Sequence, residues 1–338
     1  MYTTMSEMEV VLELMNEFIE KNQASLPQDW FLSEMMYHVK SVIEEHFGEL
    51  PEEDYMYALL LCSSGRTSYV LPPLEHVSET IAYLQSIPQP DQRSVEWHAM
   101  RHKLITASVA HKALGTEAAI RELVKSKQQP HIMYEDTNFE GPRHWGVKYE
   151  PVSIQYYEHV NDTKIGEFGC IIHPRHTFLA ASPDGINVKE TSPLYGRMLE
   201  IKNPFSRVIT GNPKKEYWIQ CQLQMEVCNL DACDFLETRF VEYESEDAFK
   251  ADGTFQRTEN GQYKGIFLQV FQEKVGYVYP PFQCTEEEYT AWAMEHMNDS
   301  WINTIYWKLD DVSTTLIGRQ KIWFESIVDT LHQVHQQI

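Results

Sequence analysis

The sequence predicts an α/β fold: a mixed central sheet flanked by helices, with an additional acidic helical region at the N-terminus. Three observations carry this expectation. Apolar residues recur at helical spacing near the start of the chain and again after residue 210, and residues 168–203 alternate with the two-residue period of strands. The order helix, strands, helix, strands then fits neither a bundle nor a sandwich. With 338 residues, the chain can bury a core without staples, as one large domain or two modest ones.

Met5, Met8, Val11, Leu12, Met15, Phe18 and Ile19 form the first helical stripe, and Phe31 to Phe47 repeats it with acids on the other side. Pro72, Pro73 and the segment SIPQPDQ (86–92) punctuate the chain, so the predicted division is an acidic helical region over 1–92, a core over 93–280 and C-terminal helices over 281–338 packed on that core. Within the core, SVEWHAMRHKLITASVAHKALG (94–115) reads as helix in pieces, broken at Thr106 to Ser108, where a new helix would open. A helix is expected from Trp145 to about His159. FGCIIHP, TFLAASPDGINV and GRMLEIKNP then read as three antiparallel strands joined by turn-forming segments. Residues 214–229 return to helical spacing, 234–243 and 263–272 read as strands, and 285–309 and 315–337 as closing helices.

Charge and cysteine content narrow the function classes. Lys and Arg number 28 against 50 Asp and Glu, a net charge of −22 that at face value argues against a polyanionic partner. The excess is uneven, because residues 1–60 hold 13 acids and 2 bases. Elsewhere the sign reverses: Arg197, Lys202, Arg207, Lys214 and Lys215 stand against Glu200 alone within 197–215, and 93–125 holds six bases against three acids. Such patches can contact phosphates while the rest of the surface stays acidic. The six cysteines (Cys62, Cys170, Cys221, Cys228, Cys233, Cys284) show no CxxC pair and no zinc spacing, as expected of reduced core thiols in an intracellular protein. An acidic, interrupted N-terminus does not read as a signal or transit peptide, and no stretch approaches the roughly 18 apolar residues of a membrane span. A soluble chain of the cytoplasm or nucleus is therefore expected.

The chemistry concentrates on Ser182-Pro183-Asp184-Gly185 and Glu200-Ile201-Lys202. Alternation along a strand sends Glu200 and Lys202 to one face while Ile201 enters the core, beside the turn that presents Asp184. Two carboxylates, with the carbonyl of Ile201, suit a hard cation such as Mg2+, and a neighbouring lysine can orient the attacking water. An ordinary turn and a half-exposed strand would share these short motifs. Three further segments favour a site: Glu150 in HWGVKYEP adds a third carboxylate, Gln220 and Gln224 share a helical face, and Arg101, Thr106 and Ser108 offer a guanidinium and hydroxyls at a helix start, where anions bind.

The ordered set R…ITAS, WG…YE, SPDG, EIK-N-P and Y-x-x-Q-x-Q-x-Q-M, over about residues 94–243, resembles the phage lambda exonuclease and YqaJ-type viral recombinase family, a branch of the PD-(D/E)xK nucleases that also includes viral alkaline exonucleases. The resemblance implies a PD-(D/E)xK, restriction-endonuclease-like core. It further implies degradation of one strand of linear duplex DNA from a 5′ end with Mg2+, for which Mn2+ would substitute, in viral-type recombination or DNA processing. It assigns metal-binding and catalytic roles to Glu150, Asp184, Glu200 and Lys202, with the Ile201 backbone carbonyl as a further ligand. Gln220 would place the water, and Arg101 and Ser108 with Ser182 would form a pocket for the terminal 5′ phosphate. A single-strand annealing protein and a trimeric ring are the partners it suggests. Departures are Asn203, where the family usually has Cys, and the lack of any counterpart for 1–92 and the stretch after about 245.

Alternatives remain at this point. The same core hosts endonucleases and RNA-degrading enzymes, and a silent nucleic-acid-binding or acidic partner module would keep the same residue types. His173 and His176 flank a turn and are expected at the surface. His144 is the histidine expected nearest the site, and Trp292, Trp301, Tyr306, Trp307 and Trp323 are expected in the core or in helix packing.

Overall fold

A computed structural model describes residues 7–21, 31–48, 55, 74–130, 141–271 and 274–338. Met5, Cys62, Pro72 and Pro73 lie outside the described residues. The chain divides into two compact units, one of Met1–Leu71 with Leu316–Gly318 and the other of Pro72–Thr315 with Arg319–Ile338. The division thus falls some twenty residues before the expected boundary at 92, because α3 (Leu74–Ser86) belongs with the core. No helix among the described residues is long and apolar enough to cross a membrane.

In the first unit α1 (Glu7–Lys21) packs on α2 (Phe31–His46). The stripe Val11, Leu12, Met15 and Ile19 meets Met35, Val39, Ile43 and Tyr55, as the helical spacing requires.

The second unit is the mixed α/β fold the sequence predicts. Ser94 caps α4 (Val95–His102) by accepting the Trp97 backbone N–H at 3.1 Å. The break at Thr106 to Ser108 becomes a two-residue strand, β1 (Ile105–Thr106), and a 3-10 turn (Ala107–Val109) before α5 (Ala110–Ala113) and α6 (Glu117–Gln128). The long helix α7 starts at Pro142, whose missing N–H costs nothing at a first turn, and runs to Asn161. The three expected antiparallel strands appear as four short ones, β3 (Ile171–Ile172), β4 (Leu179–Ala181), β5 (Gly185–Asn187) and β6 (Met198–Lys202), preceded by β2 (Ile165–Gly166), which was not expected. They separate into two sheets, since β3 and β4 pair with β1 in a small sheet while β2, β5 and β6 form one side of a seven-stranded sheet. After α8 (Lys215–Cys228) come β7 (Ala232–Glu242), a short α9 (Glu246–Ala251), β8 (Lys264–Phe271), β9 (Val275–Val278), α10 (Glu286–His296), β10 (Trp301–Gly318) and α11 (Lys321–His335).

The large sheet runs β2-β5-β6-β7-β10-β8-β9, with β6 parallel to β7 and the β2–β5, β5–β6, β8–β10 and β8–β9 pairs antiparallel. The expected helix over 285–309 is therefore corrected: helix ends at His296, and 301–318 is an 18-residue strand inside the sheet. Its aromatic and β-branched residues bury Ile305, Trp307 and Leu309 at a period of two, which the near-helical spacing of Trp301, Tyr306 and Trp307 masks. The C-terminal segment is thus helix, strand, helix.

Two helices clamp this sheet. Trp145, Tyr149 and Val152 of α7 pack on Phe240, Phe267, Ile305, Trp307 and Leu309, with Tyr149 and Phe240 stacked at 4.4 Å. Further along α7, Tyr157 joins Leu199, Ile201 and Leu236. The alternate residues of β6 turn to α8, a helix buried nearly all round. His173 is corrected too: it is 2% exposed, with its ring stacked on Phe324.

Candidate active site

The β5–β6 hairpin sets the first half of the site. Asp184 ends the turn before β5, and its Oδ2 accepts the Ile201 backbone N–H at 2.7 Å, which ties the turn to β6. Gly185 follows because a Cβ there would lie 2.1 Å from Ile165 Cγ2. On β6, alternation places Glu200 and Lys202 together as expected, and the Lys202 ammonium donates to Glu200 Oε1. From α8, one turn apart, Gln220 Nε2 reaches the same oxygen at 2.7 Å and Gln224 Nε2 reaches Oε2 at 2.6 Å. Both oxygens of a fully buried carboxylate are thereby held by donors, as burial of a charge demands. Tyr217 lies beneath this cluster, 5.1 Å from the Lys202 ammonium to the ring centre.

A second cluster gathers around Arg101. Its guanidinium donates to Ser108 Oγ at 2.9 Å and Ser182 Oγ at 3.4 Å and lies over the Trp97 ring, 4.1 Å from the centroid. Trp97 Nε1 donates to the same Ser182 Oγ at 2.9 Å. The fork is therefore oriented from below by an aromatic face and from the side by two hydroxyls, a geometry suited to a phosphate. Thr106 is fully buried behind it, its hydroxyl 3.3 Å from Ser108 Oγ.

Both clusters open into one cavity of about 400 Å3, which Glu150, Asp184, Glu200, Ile201, Lys202, Gln220, Arg101, Ser108 and Ser182 all line; Thr106 is the expected residue that does not reach it. Glu150 comes from α7, which packs on the Leu199 and Ile201 side of β6, and its carboxylate turns to Arg93, 2.6 Å away. Glu150, Asp184 and Glu200 thus share one cavity, with Glu150 turned toward Arg93 and Glu200 held by Lys202, Gln220 and Gln224.

Burial pushes the Asp184 carboxyl well above its ordinary range, and the Glu200 and Glu150 charges push the same way. Burial also raises Glu150, against the pull of Arg93. Burial alone would lower the Lys202 ammonium, but Glu200 and Asp184 outweigh it and hold it above its usual value. A hard divalent cation takes one or two carboxylates, and Asp184 and Glu200 are residues here that could hold one.

Several residues at the cavity carried no expectation. Trp97 is four residues before Arg101 on one helix, a spacing that allows the stack to be foreseen. Gln92 Nε2 donates to the carbonyls of Phe168 and Pro183 at 2.9 Å each and so anchors the turn preceding Asp184. No local pattern signals this, because its partners are far away in sequence. Asn203 donates 2.7 Å bonds to Ser153 on α7 and Thr238 on β7. His144 does not line the cavity; its ring nitrogen lies 2.6 Å from the Tyr277 hydroxyl.

Comparison with known proteins adds a family to this geometry. Residues 96–231 match the YqaJ-like viral recombinase domain. The uncharacterised protein R354 of Acanthamoeba polyphaga mimivirus is 31% identical over 293 residues, taking in 74% of this chain and 53% of the relative. The chain thus spans about half the length of this curated relative. Among solved structures, an alkaline exonuclease from Laribacter hongkongensis is similar at 18% identity and a TM-score of 0.43, covering 72% of this chain and 92% of that one. A phage-related exonuclease from Haemophilus somnus 129PT is similar at 14% identity and a TM-score of 0.38, covering 69% and 94%.

Proposed function

Because residues 96–231 match the YqaJ-like viral recombinase domain, we propose that the chain is a metal-dependent exonuclease that hydrolyses linear duplex DNA from a 5′-phosphorylated end, 5′ to 3′. The observation that carries this reading is the shared cavity: a carboxylate and lysine cluster opens into the same space as an arginine seated between two serines. A terminal phosphate on Arg101, Ser108 and Ser182 would place the next phosphodiester over the acids.

Each residue then has a physical task. Lys202 and Gln220, both on Glu200 Oε1, are positioned to orient a water for attack, and the proton it loses would pass to the Glu200 carboxylate or to bulk solvent. Lys202, held protonated by its neighbours, also stabilises charge that develops on the phosphate oxygens. Mg2+ or Mn2+, held by Asp184 and Glu200 with the Ile201 carbonyl, would supply Lewis-acid stabilisation of that charge. Glu150 would join this set only after leaving Arg93. The annealing partner and the trimeric ring rest on the family resemblance alone.

The test compares linear 5′-phosphorylated, linear 5′-hydroxyl and closed circular duplexes in Mg2+. The expected result is digestion of the first, slower digestion of the second and an intact circle, with Glu200→Gln inactive on all. Cleavage of the circle would favour an endonuclease of the same fold, and preferential cutting of RNA would favour a ribonuclease. An unchanged Glu200→Gln would overturn the catalytic assignment.

A further inference from the structure

Arg93 combines two features that local sequence does not explain. Its backbone is left-handed, with φ at +68°. The other described non-glycine residues with positive φ are Asp162, Asn229 and Gln283, of which Asp162 and Asn229 terminate helices and belong to the residue types that tolerate this region. Arginine has no such tolerance, and its placement there costs about 1 kcal/mol or more. The segment is fixed in that conformation from both sides, by Gln92 on the carbonyls of Phe168 and Pro183 and by Ser94 at the start of α4.

What the strained backbone achieves is contact with an acid of the cavity. The Arg93 guanidinium donates to Glu150 Oε2 at 2.6 Å, and both residues line the same space as Asp184 and Glu200. Glu150 is the one of these three carboxylates that a cation of the protein already holds at the cavity's edge, while Lys202 serves Glu200 from within. The Arg93 side chain is half exposed, so it can swing out into water as an incoming cation takes its place on Glu150.

We propose that Arg93 is a resident counter-ion of Glu150 that a divalent cation has to displace, and that it thereby sets how tightly the cavity takes up metal. In the free protein the guanidinium offsets the charge of Glu150. On metal entry Glu150 exchanges one cation for another, and Arg93 is released at the rim, where a DNA phosphate could receive it. The inference rests on the metal-dependent reading above and gives Arg93 a task in metal uptake.

The experiment is Mn2+ binding to the full chain without DNA, followed by calorimetry and by electron paramagnetic resonance of the free ion. Arg93→Gly relieves the backbone strain, so the variant is expected to fold with an unfolding temperature equal to or above that of the parent. It should bind Mn2+ roughly three- to tenfold more tightly, the scale of a partly exposed ion pair in the competition. Arg93→Lys should stay near the parent, and in a Glu150→Gln background the Arg93→Gly gain should vanish. Equal or weaker binding by Arg93→Gly, or the same gain with Glu150 replaced, overturns the proposal. If the parent and all variants bind no Mn2+, the metal-dependent reading falls and takes this one with it; binding that ignores Arg93 overturns only this one.

Discussion

Gln224 Nε2 lies 2.6 Å from Glu200 Oε2, and neither side chain meets solvent. The amide is the carboxylate's partner on the side away from Lys202, so it fixes the plane in which Glu200 faces the cavity. Replacing Gln224 with Leu keeps most of the volume and strands that oxygen. A loss of about 1–3 kcal/mol in unfolding free energy is expected, read from the urea midpoint, with a fall in nuclease rate. A variant as stable and as active as the parent would show that the bond is ornamental.

End recognition should depend on the shape of the Arg101 group as well as its charge. Arg101→Lys keeps the charge but loses the two-serine fork and the Trp97 stack. The preference for a 5′-phosphorylated over a 5′-hydroxyl duplex should fall by about tenfold, roughly 1.4 kcal/mol, in initial-rate ratios.

His173 gives the fold a pH dependence. Its Nδ1 accepts the backbone N–H groups of Arg175 and His176, each at 3.1 Å, and protonation of that nitrogen would break both bonds. Burial, with His176 beside it, lowers its pKa from 6.5 to about 4. The unfolded chain then binds a proton that the folded chain refuses, so this contribution to stability is full above pH 6.5 and is lost as pH falls toward 4. Chemical denaturation at pH 7 and pH 5 should show the drop, and His173→Asn should flatten it.

The acidic N-terminal unit makes the opposite kind of prediction, one of indifference. Residues 1–60 carry 13 acids and 2 bases, so their removal should leave DNA affinity unchanged or raised, as fluorescence anisotropy of a labelled duplex would show. A large loss would mean that this unit contributes to binding.

The parts of the site legible in the sequence are those set by local periodicity. Strand alternation brings Glu200 to Lys202, and a helical turn aligns Gln220 with Gln224, so short-range geometry suffices for each. The hidden parts depend on distant partners: Gln92 acts on a turn 91 residues away, and Arg93 on a helix 57 residues away. Glu150 was legible as a residue of the site but not in its orientation, because Arg93 decides where it points. In the fold, the aromatic positions of β10 fit a helical stripe nearly as well as a strand, and only its sheet neighbours β7 and β8 break the tie.

That strand also constrains how the protein can be handled. Residues 96–231, the stretch with a recognisable family, end before β7, yet the sheet supporting Glu200 continues through β7 to β10, which comes seventy residues later in the chain. A fragment cut to the family's borders would leave β6 as a raw edge with unpaired backbone groups and no neighbour on one side. The smallest expressible piece is therefore set by the last strand to enter the sheet, and everything between is cargo that the β5–β6 hairpin must carry.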